Sequence, residues 1–155
     1  MTVPSARVDL PAHPATPCWA RRHTAAILGA WQIDPDTVDT ALLLVSEIIT
    51  NAVTATTALP RHTTTSTPIT QTLHCQDGQI IIEITDPSPH PPVLTDTGPD
   101  AETGRGLLLV HALAKEWTWH NQPDDGKTIR CALPVPDTTT QPGPPPAQPQ
   151  LSADT

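Results

Sequence analysis

Asp34-Pro35-Asp36-Thr37-Val38-Asp39-Thr40-Ala41-Leu42-Leu43-Leu44-Val45-Ser46-Glu47-Ile48-Ile49-Thr50-Asn51-Ala52 is the stretch that decides the fold. Asp34 suits an N-cap, and Pro35 suits the first helical position, where no N–H is needed. Asp36 adds negative charge at the positive end of the helix. Apolar residues then fall at 38, 41, 42, 45, 48, 49 and 52, the 3.6-residue stripe of a helix packed on one side. Glu47 and Asn51 lie beside that stripe. They are four apart, so their side chains stand on the same flank of the helix. The helix fades through the Thr/Ala stretch 54–58 and stops before Pro60.

Upstream, Ala6 to Leu10 alternates weakly and reads as an edge strand closed by Pro11 and Pro14. Residues 15–31 read as a helix, with Trp19, Ala26, Ile27 and Ala30 expected to face inward. Downstream, Ile69, Leu73 and Cys75 alternate with polar residues as in a half-buried strand. Asp77-Gly78 is a strong hairpin signal. Ile80 to Thr85 follows as a buried strand and delivers Asp86 at its end. Residues 87–103 carry five prolines and form a loop long enough to be a lid. Gly106 to Ala114 reads as a helix, Trp117 to Trp119 as a short strand, Pro123 to Gly126 as a turn, and Thr128 to Leu133 as a strand. The expected order is β-α-α-β-β-loop-α-β-β, not the strict β-α alternation of a Rossmann sheet. It suits the α/β (α+β) class: a two-layer sandwich whose mixed, mostly antiparallel sheet is covered on one face by about three helices. Residues 1–4 read as a frayed N-terminus, 5–134 as one domain, and 135–155 as a Pro-rich disordered tail.

The chain has 155 residues and a formal net charge of −8, which argues against a direct nucleic-acid partner. Lys plus Arg number eight, so a bound polyanion would be held mostly by backbone N–H groups and a metal. With no Phe or Tyr, aliphatic residues must build most of the core. Cys18, Cys75 and Cys131 are odd in number and lack metal-ligand spacing, which reads as three reduced thiols in a cytoplasmic protein. No signal peptide is visible, and the uninterrupted apolar runs are too short to span a bilayer.

Four places could carry chemistry. A carboxylate such as Glu47 can act as general base, and an amide oxygen such as that of Asn51 can ligate Mg²⁺. Both residues are equally at home on a solvated helix face. Asp86 leaves an inner strand at the mouth of the sheet, where ligand-binding groups collect, and a carboxylate there suits an exocyclic amine. Asp86-Pro87-Ser88-Pro89 is also ordinary turn chemistry. Gly104-Arg105-Gly106-Leu107 opens a helix, and unpaired N–H groups at a helix start favour phosphates. Without a following G-K-[ST] it is not a P-loop, and it serves equally as a flexible helix start. Thr128, after Gly126-Lys127, could support a base directly or through water, or simply be a β-branched strand residue. His90, His111 and His120 are not positioned together by any spacing.

In order, Glu47-x-x-x-Asn51-Ala52, Asp86, Gly104-x-Gly106-Leu107 and Gly126-Lys127-Thr128 resemble the nucleotide-binding boxes of the GHKL (histidine kinase-like) ATPase superfamily. Over about residues 5–134 the chain looks most like the anti-sigma factor serine/threonine kinases and related ATP-binding regulatory proteins of actinobacteria. The resemblance implies a Bergerat-type ATP-binding fold with ATP under a lid at 87–103. It implies Glu47 as general base and Asn51 on Mg²⁺. Asp86 would hold adenine, with Thr128 near the base, and Gly104, Arg105, Gly106 and Leu107 would hold the phosphates. It further implies transfer of the ATP γ-phosphate to a Ser or Thr of an antagonist protein and sequestration of a sigma factor, usually by a homodimer. One departure is plain. The family's Asp-x-Gly-x-Gly box reads Asp86-Pro87-Ser88-Pro89-His90 here, and its prolines stiffen the lid's start and remove N–H donors. That departure motivates an alternative, a catalytically silent, nucleotide-dependent protein-binding regulator.

Overall fold

The computed structural model describes residues 3–60, 67–92, 114, 116–124 and 126–136. Among the described residues, seven elements follow in chain order: β1 (Ser5–Leu10), α1 (Thr16–Ala30), α2 (Pro35–Thr57), β2 (Ile69–Gln76), β3 (Gln79–Asp86), β4 (Glu116–Asn121) and β5 (Lys127–Pro134). The strands form one sheet in the order β1-β2-β3-β5-β4, antiparallel at every pairing. The expected α+β sandwich is therefore present, with two helices on one face of the sheet. The expected third helix, at 106–114, lies outside the described residues apart from Ala114. So do residues 93–103 of the expected lid and the tail from residue 137 onward.

Local chemistry explains most boundaries. The Asp34 carboxylate accepts from the Thr37 N–H at 3.0 Å and from the Thr37 hydroxyl at 2.7 Å, closing the start of α2 behind Pro35. Asp77 (φ 55) and Gly78 (φ 73) take consecutive left-handed conformations between β2 and β3, the twist a two-residue hairpin needs. Beyond β5, the Val135 N–H donates to the Gly78 carbonyl at 2.9 Å, tying the strand's end to that hairpin.

The core lies between α2 and the sheet. From α2, Ala41, Leu44, Val45, Ile48, Ile49 and Ala52 are fully buried. They meet Ile69, Leu73, Ile80, Ile82, Ile84, Ile129 and Cys131 from the inner strands. Each large aliphatic side chain buried this way contributes roughly 1.5–3 kcal/mol. By length and composition α2 would also suit a membrane span, a property that counting uninterrupted apolar runs does not reveal. Here its apolar stripe packs on the sheet, as core helices do.

The inward face of α1 differs from expectation. Trp19, Ala26 and Ala30 are exposed and Ile27 is only partly buried; the buried residues are Thr16, Ala20, Thr24 and Leu28. Two threonines on that face hide it from a reading based on apolar residues. The Thr24 hydroxyl is satisfied by donating to the Ala20 carbonyl at 2.8 Å and accepting from Gln71 Nε2 at 2.9 Å. Trp19 instead stacks on His13 at the surface, ring centroids 5.5 Å apart.

The sheet face away from these two helices is mostly polar among the described residues, with Ile81 and Ala132 as buried apolar exceptions. Arg7 pairs with Asp9, and Glu83 meets both His74 and Arg130. Such exposed pairs contribute little to stability, about 0–1 kcal/mol each.

Candidate functional site

Strand alternation fixes which face each site residue takes. Asp86 has the parity of Ile80, Ile82 and Ile84, and Lys127 has that of Ile129, Cys131 and Leu133, so both point to the helix-covered face. They are direct partners across the β3–β5 ladder. Lys127 Nζ donates to Asp86 Oδ1 at 3.1 Å and lies 3.0 Å from Oδ2, with both side chains 1% exposed. The Ser88 N–H also donates to Oδ1, at 2.8 Å. Oδ2 is buried and, among the described residues, accepts no well-directed hydrogen bond despite the nearby ammonium. Burial raises the Asp86 carboxyl above its ordinary value, opposed by the Lys127 charge and the Ser88 N–H.

Gly126 makes the pairing possible. A Cβ at this position would overlap the Asp86 carbonyl oxygen and press on Pro87 Cα at 3.4 Å. The start of β5 can approach the end of β3 this closely only without a side chain.

Two nested turns shape the chain after Asp86. Its carboxylate accepts from the N–H two residues on, and the Ser88 hydroxyl in turn accepts from the His90 N–H at 3.2 Å. Pro87 and Pro89 each precede one of these donors and have no N–H of their own. Ser88 is fully buried, and Asn121 Nδ2 donates to the Pro89 carbonyl at 3.2 Å, holding the loop against β4. The amides of 88 and 90 are thus satisfied within the loop.

On α2, burial raises the Glu47 carboxyl above its ordinary value. One turn later, Asn51 Oδ1 is buried with no hydrogen-bond partner among the described residues. A buried, unpartnered amide oxygen is uncommon, and a ligand or cation is one thing that satisfies it. The described residues include no cluster of three His, Cys, Asp or Glu that could hold a metal by itself.

Thr128 is placed on the opposite face of the sheet from Asp86. Its hydroxyl lies 2.7 Å from that of Thr85 and accepts from Gln122 Nε2 at 2.6 Å. The structure therefore brings Asp86 together with Lys127, Ser88 and Gly126, but not with Thr128. Gly104, Arg105, Gly106 and Leu107 lie outside the described residues. Lys127 is the participant that sequence reasoning missed. The signal was there: the residue after Gly126 shares the face of Ile129 and Cys131, and its neighbour Thr128 cannot.

A cleft of about 660 Å³ opens at this end of the sheet. Asp86, Pro87, Pro89 and Gly126 line it on the β3–β5 side, and Arg7, Pro60 and Asp124 elsewhere. Glu47 and Asn51 are not among its lining residues.

The sequence profile of the histidine kinase-like ATPase domain matches residues 10–133. No curated protein matches the chain in sequence. Among solved structures, one of the RsbU and RsbW domains of Rv1364c from Mycobacterium tuberculosis is similar, with TM-score 0.64 and 18% identity. That likeness covers 85% of this chain and 32% of the other, so this chain spans about a third of that protein's length. A structure of the SiaB-SiaC complex from Pseudomonas aeruginosa is also similar, with TM-score 0.62 and 12% identity over 83% of this chain and 88% of the other. At these identities the likeness is one of fold.

Proposed function

This chain belongs to the histidine kinase-like ATPase domain family, and from that premise, which implies nucleotide binding, we propose that it is an ATP-binding regulatory protein of the anti-sigma kinase type. It would transfer the γ-phosphate of ATP to a Ser or Thr of an antagonist protein and sequester a sigma factor, as a homodimer in the cytoplasm. The fold shared with an RsbW-containing structure and with SiaB-SiaC supports this direction. The domain would span residues 5–134, with the Pro-rich tail from 135 as a tether.

The observation that carries the reading is the buried, unpartnered Oδ1 of Asn51 one helical turn from Glu47. An amide oxygen of that kind suits Mg²⁺, which keeps most of its waters and takes few protein ligands. Bound Mg²⁺ would neutralise phosphate charge. Glu47 would accept the proton of the attacking hydroxyl, a role that suits a carboxyl whose proton affinity burial has raised. Asp86 Oδ2, unpartnered by a hydrogen bond, would accept from the exocyclic amine of adenine. Residues 104–107 would hold the phosphates through backbone N–H groups at a helix start. Thr128, on the other face of the sheet, would act on the base only through its neighbours Thr85 and Gln122.

One observation favours the second reading, a silent nucleotide-dependent binder of proteins: the N–H groups of Ser88 and His90 are satisfied within their own turns. Calorimetry with ATP and ADP, with and without Mg²⁺, on wild type, Asn51→Ala and Asp86→Ala tests the site. The reading requires binding that needs Asp86 and whose Mg²⁺ dependence is lost in Asn51→Ala. Unchanged Mg²⁺ dependence in that variant would remove Asn51 from the metal. Binding without Glu47-dependent transfer to any antagonist would favour the silent regulator.

A further inference from the structure

Lys127 is among the largest fully buried side chains of the described residues, and it carries a charge. Burying an ammonium costs several kcal/mol before its partner compensates, and an aliphatic residue would complete the β5 face without that cost. The charge is answered by Asp86, with Nζ 3.1 Å from Oδ1 and 3.0 Å from Oδ2. An ammonium has three N–H donors, and Oδ1 takes one. Side by side, the cleft's Asp86 therefore offers an acceptor in Oδ2 and its strand partner offers a donor.

Purine edges come in two senses. A 6-aminopurine presents a donor amine beside the N1 acceptor; a 6-oxopurine presents a keto acceptor beside an N1–H donor. An ionised carboxylate alone only accepts, and would repel the keto oxygen. A carboxylate beside an ammonium complements both senses. Resting on the nucleotide site proposed above, we infer that Asp86 and Lys127 read the base as a unit, Lys127 donating to the ring or keto acceptor beside the group that Asp86 accepts. The site then admits 6-oxopurine nucleotides as well as adenine nucleotides, and Lys127 is its selectivity residue.

The test is calorimetric binding of ADP, IDP and 1-deaza-ADP, which lacks the N1 acceptor, to the full chain. Wild type should bind IDP within about tenfold of ADP and 1-deaza-ADP about 10- to 100-fold more weakly, the range for a lost hydrogen bond to a charged group. Lys127→Met should lose ADP by the same factor and IDP by more, because the keto oxygen then faces the carboxylate unanswered, and Lys127→Gln, which keeps an N–H donor, should recover part of both losses. The wild-type comparison with 1-deaza-ADP stands even if Lys127→Met fails to fold. ADP binding with IDP rejected and 1-deaza-ADP equal to ADP overturns this inference alone. So does equal weakening of ADP and IDP in Lys127→Met, the signature of a purely structural lysine. Binding of none of the three removes the nucleotide site along with it.

Discussion

Replacing Lys127 by Met leaves the buried Asp86 carboxylate with the Ser88 N–H as the hydrogen bond it keeps among the described residues. Removing one partner of a buried ion pair costs about 3–5 kcal/mol, because the other charge stays desolvated and unanswered. Against a typical total of about 5–15 kcal/mol, that is a large share. The loss should also depend on pH, with a defined sign. Burial already raises the Asp86 carboxyl in the folded state, and the Lys127 charge opposes that rise. Without the lysine the carboxyl rises further. A carboxyl raised on folding takes up a proton in the native state that the unfolded chain has released. Stability therefore falls as pH rises from the ordinary carboxylate value to the folded value, by up to about 1.4 kcal/mol per pH unit, and levels off above it. Lys127→Met should be more destabilised at about pH 8 than at about pH 5, because protonation of the raised Asp86 carboxyl removes the unanswered charge. Urea unfolding followed by far-UV circular dichroism at both pH values reads this directly, with unchanged m-values as the check on two-state behaviour. A loss under about 1 kcal/mol at the higher pH, or an equal loss at both, would refute the buried-pair account.

Gly126→Ala should destabilise by about 1–3 kcal/mol in the same denaturation assay, since the new Cβ meets the backbone of Asp86 rather than a side chain that can swing away. Asp34→Ala should cost about 1 kcal/mol, measured as a lower melting temperature, through loss of both hydrogen bonds to Thr37. Glu47→Gln should keep nucleotide binding and lose phosphoryl transfer; in wild type the acid limb of the transfer rate should sit above the usual carboxylate range, because burial raises Glu47 and only its ionised form is a base. The Cys131 thiol, buried and pushed up to about 12, should resist alkylation in the folded chain at neutral pH, while the partly exposed Cys18 and Cys75 label first by mass spectrometry.

Sequence by itself determined the elements whose signals are local. The Asp34-Pro35 start of α2, its 3.6-residue stripe, the Asp77-Gly78 hairpin, the alternation of β2 and the apolar run of β3 depend on neighbours a few residues apart, and each lies where the pattern puts it. The family was also legible, because its resemblance rests on strings of residues at fixed spacing. What only the tertiary structure decided involves groups far apart in the chain. The inward face of α1 follows from the Thr24–Gln71 hydrogen bond, 47 residues apart, which lets a threonine take a core position that apolar counting gives to Trp19. Which residue joins Asp86 was decided by ladder register: β3–β5 pairing sets Lys127 opposite it and sends Thr128 to the other face with Thr85. A one-residue difference in register exchanges the faces of a strand, so proximity in a motif cannot tell two adjacent residues apart. Likewise, Gly126 reads as a turn glycine in the sequence, and its necessity arises from the Asp86 carbonyl that folding brings against it.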